Sequence, residues 1–261
     1  MSLPTVELSL ADHVATLTLT DVARKNAMSP ELGDALQARV AELKGRNDVR
    51  VVVLTGAAGA FSAGGDLAML SQLRTLPFED ARKHMLSFYG RYLSVLELEV
   101  PVIAAIEGPA IGAGLCVALA CDLVIAGEDS KLALNFVQLG LHPGMGATYL
   151  VARKAGAQRA AELLFTGRRF DGREALKLGL VLETAATGQV LSRAQALAAQ
   201  IASGAPLALR ALKTVLSVDR EALQTALEHE ARAQAESYGS QDLGEGLLAA
   251  AERRAPRFTG V

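Results

Sequence analysis

Between Ala104 and Asp122 the chain reads A-A-I-E-G-P-A-I-G-A-G-L-C-V-A-L-A-C-D, and this run restricts the fold more than any other. An apolar stretch ending at Ile106 breaks into a loop carrying Gly108, Pro109, Gly112 and Gly114. It then resumes at Leu115, Val117, Ala118 and Leu119 with the spacing of a buried helix. The pattern predicts strand, glycine loop, helix. In such a turn the first amides of the helix have no intrahelical partner, so together with the helix dipole they form a place for negative charge. By itself the stretch is an anion cradle or only a tight turn. A second loop, F-S-A-G-G-D-L at Phe61 to Leu67, follows the strand-like Val51 to Thr55 and the turn at Gly56 to Gly59. Two glycine loops after two apolar strands can each offer one N–H to the same oxygen.

A chain of 261 residues buries a sizeable core, enough for one large domain or one domain plus a helical appendage. Its 51% hydrophobic content describes a folded, soluble chain. A formal charge of −2 and the lack of a Lys/Arg run argue against nucleic-acid partners. Gly108 to Cys121, the longest uncharged apolar stretch, is too short and glycine-rich to span a membrane. The opening M-S-L-P-T-V-E-L-S-L has no basic leader region. Cys116 and Cys121 lie five apart on one expected helix, a spacing that disfavours a disulfide. These features set the expectation of a cytoplasmic protein.

Along the chain, Thr5 to Leu10 and Val14 to Thr20 alternate apolar and polar residues around a turn holding His13, as in a hairpin. Ser29-Pro30 caps a helix that delivers the chain to strand Val51 to Thr55. Leu67 to Leu98 reads as helical with a break at Pro77, the second helix starting near Glu79 and carrying a solvated His84. Strands are expected at Val102 to Ile106, Leu123 to Ala126, Lys131 to Leu134 and Leu180 to Glu183. Helices cover Thr148 to Lys154, Ala157 to Phe165 and Arg173 to Lys177. After Thr187 come four more, with turns at Gly204 to Pro206, Ser217 to Asp219 and Gly239 to Ser240. Alternating strands and helices favour an α/β arrangement.

The stretches F-S-A-G-G-D-L, G-P-A-I-G-A-G, A-C-D-L-V-I-A and L-G-L-H-P-G-M-G-A-T-Y-L, with the opening R-K-N-A-M-S and the closing E-R-R-A-P-R-F-T-G, resemble the crotonase superfamily, the enoyl-CoA hydratases and isomerases. The resemblance runs from about Val6 to Gly260. It implies an α/β fold, a crotonase-like spiral of β-β-α repeats over 1–200, and a helical trimerisation region over 201–261 that builds homotrimers or hexamers. It also implies an acyl-CoA thioester substrate, a hydratase, isomerase or lyase reaction of fatty-acid metabolism, no metal, and no cofactor beyond the coenzyme A of the substrate.

Carried over residue by residue, the resemblance makes the amides of Gly65 and Ala113 the donors to the thioester oxygen as it becomes an enolate. The backbone of Ala63 and Leu67 would hold the adenine, and Lys25 or Arg24 would stand on the phosphate side unless it is simply a surface cation. The two glutamates with which hydratases activate water fall on Cys116 and Phe136, and an acid used by some isomerases falls on Gly144. All three acid positions are therefore vacant. Because general acid–base groups contribute about 10²–10⁴ in rate, ordinary hydration should be disabled unless another group substitutes. His142 is the candidate base, against the alternative of a loop residue bracing the turn. Cys116 is a nucleophile at a helix start or a small core hydrophobe. Asp66 reads as an N-cap rather than a base. Glu107 stands beside the oxyanion loop or faces solvent or a neighbouring subunit. Glu228, His229 and Glu230 read as a charged helical face. A non-catalytic acyl-CoA binder or scaffold of the same fold is the competing expectation.

Overall fold

The structure is a computed structural model and describes residues 3–261; Met1 and Ser2, which open the stretch read as lacking a leader, lie outside the described residues. The chain begins with an antiparallel hairpin of β1 (Thr5–Ala11) and β2 (Val14–Thr20), turned at Asp12 and His13, both with positive φ. The helix α1 (Pro30–Leu43) starts as the sequence predicts, with Ser29 Oγ accepting from the Leu32 amide at 3.3 Å and proline in the first turn. It leads into β3 (Val51–Gly56), which pairs in parallel with β2.

The helices α2 (Leu67–Leu73) and α3 (Phe78–Leu93) follow, separated at Pro77. Next come β4 (Val102–Ile106), a two-residue strand β5 (Ala110–Ile111) inside the glycine loop, and α4 (Ala113–Ala120). After β6 (Leu123–Gly127) and β7 (Leu132–Ala133) come α5 (Ala147–Ala155), α6 (Ala157–Thr166), β8 (Arg169–Phe170), α7 (Gly172–Leu178) and β9 (Glu183–Ala185). The last strand lies later than expected: Leu180 and Val181 are buried in the approach, and the Leu182 amide donates to the Val124 carbonyl before pairing begins. The strands form a six-stranded sheet ordered β1-β2-β3-β4-β6-β9 and a three-stranded sheet ordered β5-β7-β8. Beyond the hairpin the larger sheet is parallel, so its strands are apolar on both faces, as Val51 to Leu54 illustrates.

The C-terminal helices are α8 (Val190–Ala202), α9 (Pro206–Leu216), α10 (Arg220–Tyr238) and α11 (Gln241–Glu252). Val190, Ala194, Ala198 and Ala202, spaced by four, give α8 a narrow stripe that packs on Val51, Val53, Ile103 and Ile125 of one sheet face. The other face carries the larger core, including α4, whose eight residues are all buried. Leu223 and Leu227 of α10 face the core, while Leu207, Leu212 and Leu216 of α9 are exposed. Helix α10 packs along α3, and this contact places the functional site.

Candidate functional site

The two glycine loops are tied to each other through the backbone. The Ser62 amide donates to the Pro109 carbonyl at 3.0 Å, and the Ile111 amide returns a bond to the Ser62 carbonyl at 3.1 Å. The Gly112 amide reaches the Ala133 carbonyl of β7 at 2.8 Å. Gly112 takes φ 52° and ψ −121°, a conformation open essentially to glycine, and this swings the chain so that Ala113 begins the helix. A Cβ on Gly114 would lie 2.6 Å from Ser62 Cβ, so glycine there permits the close approach of the loops.

The first loop is braced from the segment after β2. Ser62 Oγ donates to the Asn26 carbonyl at 2.8 Å and accepts from the Gly64 amide, while the Met28 amide donates to the Gly64 carbonyl at 2.8 Å. Asp66 is the N-cap of α2 as expected, with Oδ1 accepting from the Ala68 and Met69 amides. Its other oxygen accepts from Arg24, which also pairs with Asp21 at 2.7 Å. Among the described residues, the N–H groups of Gly65 and Ala113 make no hydrogen bond. Both border the same cavity.

That cavity has a volume of about 510 Å³. One wall is backbone: the Ala63 to Leu67 loop and Ile111 to Ala113. The facing wall is side chains of α3 and α10, including Met85, Phe88, Tyr89, Gln234 and Tyr238. Tyr89 Oη donates to Gln234 Oε1 at 2.7 Å, and Gln234 Nε2 donates to the His142 carbonyl at 2.8 Å. Burial holds the Tyr89 and Tyr238 hydroxyls above the usual tyrosine range, so both are neutral donors. A Cβ on Gly144 would lie 2.5 Å from Tyr89 Oη and 2.6 Å from Gln234 Nε2. The vacancy at position 144 is thus filled by this pair.

Of the residues singled out in the sequence, Arg24, Ala63, Gly65, Asp66, Leu67, Ala113, Phe136 and Gly144 line the cavity. Others stand outside its lining. Cys116 is fully buried, and burial pushes its thiol well above the ordinary range, so a thiolate is disfavoured despite the helix start. Lys25 is exposed one residue beyond Arg24. The ring of His142 sits with Nδ1 2.7 Å from the Pro143 carbonyl, and only the backbone of this residue meets the cavity wall, through Gln234. Glu107 accepts from the Gly188 amide at 3.1 Å.

Two readings of polar residues need correction. Glu230 is buried rather than on a charged face. Its carboxylate accepts from the Gly146 and Thr148 amides and from Thr148 Oγ1 at 2.6–2.8 Å, bridging α10 to the start of α5. Burial pushes it up to about 7, against those hydrogen bonds. His84 is half-buried, and its Nε2 is inaccessible and without a partner among the described residues. The roles of Tyr89 and Gln234 were missed because they lie 145 positions apart and neither belongs to a motif. No local signal marks them.

Among the described residues no helix is long and apolar enough to cross a membrane. Residues 10–261 match the family model described as enoyl-CoA hydratase/isomerase. A putative enoyl-CoA hydratase of Thermus thermophilus is 39% identical over 94% of this chain and 97% of its own length. A probable enoyl-CoA hydratase of Mycobacterium tuberculosis is 36% identical over 95% of this chain and 98% of its own. The crystal structure of an enoyl-CoA hydratase/isomerase from Pseudoalteromonas atlantica superposes with a TM-score of 0.85 at 30% identity, covering 98% of this chain and 100% of that one. With both glycine loops, the α/β core and the helical C-terminal region matched over nearly its whole length, the chain belongs to the enoyl-CoA hydratase/isomerase family of the crotonase superfamily.

Proposed function

We propose that the protein binds acyl-CoA thioesters and stabilises the enolate of the thioester, whose oxygen rests on the amides of Gly65 and Ala113. The observation that carries this reading is the pair of unengaged N–H groups, one from each interlocked loop, on the wall of a single cavity. Fixed donors of this kind act where charge develops and need no reorganisation during the reaction. The backbone at Ala63 and Leu67 is assigned to the adenine. Arg24 is already held by two carboxylates, whereas Lys25 has none among the described residues, so Lys25 has charge to spare for a phosphate. Phe136 then packs against the acyl group, and no metal or further cofactor takes part.

A second reading, a binder without turnover, has its own support. Among the described residues Asp66 is the one carboxylate lining the cavity, and it is occupied by Arg24 and by its own helix. Titration calorimetry with a set of acyl-CoAs, paired with NMR of α-proton exchange into D₂O, separates the readings. Binding with exchange supports the enolate-stabilising enzyme, and binding without exchange supports the binder. No binding of any thioester at millimolar concentration removes both.

We further propose a trimer or a dimer of trimers in the cytoplasm. The assembly is supported by Leu207, Leu212, Val215 and Leu216, which leave an apolar face exposed on α9. The compartment is supported by two buried free thiols. A monomer by light scattering at micromolar concentration would contradict the assembly.

A further inference from the structure

Among the described residues, the helical side of the cavity described above carries its polar tips in one cluster, Tyr89, Gln234 and Tyr238. There Tyr89 Oη and the Gln234 amide sit together, both side chains almost completely buried. Gln234 Oε1 is satisfied by the tyrosine hydroxyl, and one Nε2 hydrogen goes to the His142 carbonyl. A primary amide has two such hydrogens. Among the described residues the second one has no acceptor, although the group is held on the cavity wall. The Tyr238 hydroxyl on the same wall donates to Met85 Sδ at 3.2 Å and lies 3.5 Å from Gln234 Oε1, and it too leaves that amide hydrogen unanswered.

The pair is also fixed in place. Its two polar atoms stand where a side chain on residue 144 would begin, so the site requires glycine there and converts the missing side chain into a neutral donor–acceptor couple. A purely alkyl acyl chain entering this space would bury an amide N–H without a partner, which opposes binding. A hydroxyl on the chain would accept from Gln234 Nε2 and donate to Tyr89 Oη, and a ketone oxygen would accept from Gln234 alone. Polar sites of this type discriminate against the analogue that lacks the matching group.

We propose that Tyr89 and Gln234 form a specificity element selecting thioesters whose acyl chain carries an oxygen beyond the β-carbon over plain alkyl thioesters. This rests on the acyl-CoA reading of the cavity. The pair sets which acyl group is held, and it has no part in proton transfer.

The test is calorimetry on the full chain with hexanoyl-CoA and its 4-, 5- and 6-hydroxy analogues, repeated for Tyr89→Phe and Gln234→Met. At least one hydroxy analogue is expected to bind about tenfold tighter than hexanoyl-CoA, the equivalent of one well-made hydrogen bond. Both substitutions should abolish that ratio while hexanoyl-CoA affinity is kept or improved. A role limited to bracing the loop at His142 would instead shift melting temperature and weaken all ligands alike, leaving the ratio intact. Equal or weaker binding of all three hydroxy analogues overturns the proposal, as does a preference that survives both substitutions. If hexanoyl-CoA binds without preference, the acyl-CoA reading stands and only this inference falls. If no thioester binds, both fall.

Discussion

The two walls of the cavity are built by opposite means. The loop wall is main chain: the loops Ala63 to Leu67 and Ile111 to Ala113 offer the amides of Gly65 and Ala113, and glycine at 112 and 114 is what permits their geometry. The helical wall is side chain, assembled from α3 and α10. A wall made of backbone depends on a few contiguous residues and is insensitive to side-chain identity elsewhere. A wall made of side chains can change its chemistry one residue at a time while the fold persists.

The sharpest way to break this comparison is Ala113→Pro. The substitution removes one N–H at the first helical position, where proline is tolerated. We expect α-proton exchange to fall by about 10²–10³ with acyl-CoA affinity much less affected, measured by NMR and calorimetry. Equal losses in both would mean that the amide serves ground-state binding only.

The helix α10 that supplies part of that wall also predicts a pH signature, through Glu230, which faces the start of α5 rather than the cavity. The folded-state value of Glu230 is raised to about 7, above its unfolded value. The folded protein therefore holds a proton that the unfolded chain releases, and the stability linked to it is full below about 4.5 and lost as pH rises to about 7. Urea denaturation should show a decline of up to about 3 kcal/mol across that window. Glu230→Gln should flatten it. A slope unchanged by the substitution would relocate the effect to another group.

Gly144→Ala sharpens the contrast at smaller scale. The added Cβ meets Tyr89 Oη and Gln234 Nε2 at 2.5–2.6 Å, so overpacking should cost about 1–3 kcal/mol in denaturant unfolding. Unchanged stability would show that the pair moves aside freely. The smallest effect is expected at His142, whose ring faces the Pro143 carbonyl. His142→Ala should leave exchange and affinity near wild type and change stability by no more than about 0.5 kcal/mol. Loss of exchange in this variant would restore the histidine as the base.

What could be read in advance follows the same division. Strand, glycine loop and helix around Gly112, the caps at Ser29 and Asp66, and the break at Pro77 were legible because each is decided by neighbours in sequence. The short strands β5 and β8 were not, since two residues carry no period and pair only once the loops have met. Glu230 looked like surface because its helix is charged on either side. Its actual partners, the amides of Gly146 and Thr148, lie more than 80 positions earlier in the chain. The Tyr89–Gln234 pair was hidden for the same reason.

The seating of α10 against α3 also sets an order of events during synthesis. The hairpin, the first strands and both glycine loops leave the ribosome more than a hundred residues before α10 does. Domains assemble from the N-terminus as they emerge, and exposed apolar surface on a partly made chain invites aggregation. Until Arg220 to Tyr238 has been translated, the face of α3 bearing Met85, Phe88 and Tyr89 has no lid, and the nascent protein owns the loops of its site without the chamber they serve. A chaperone that holds this chain during translation would find a target on that helix.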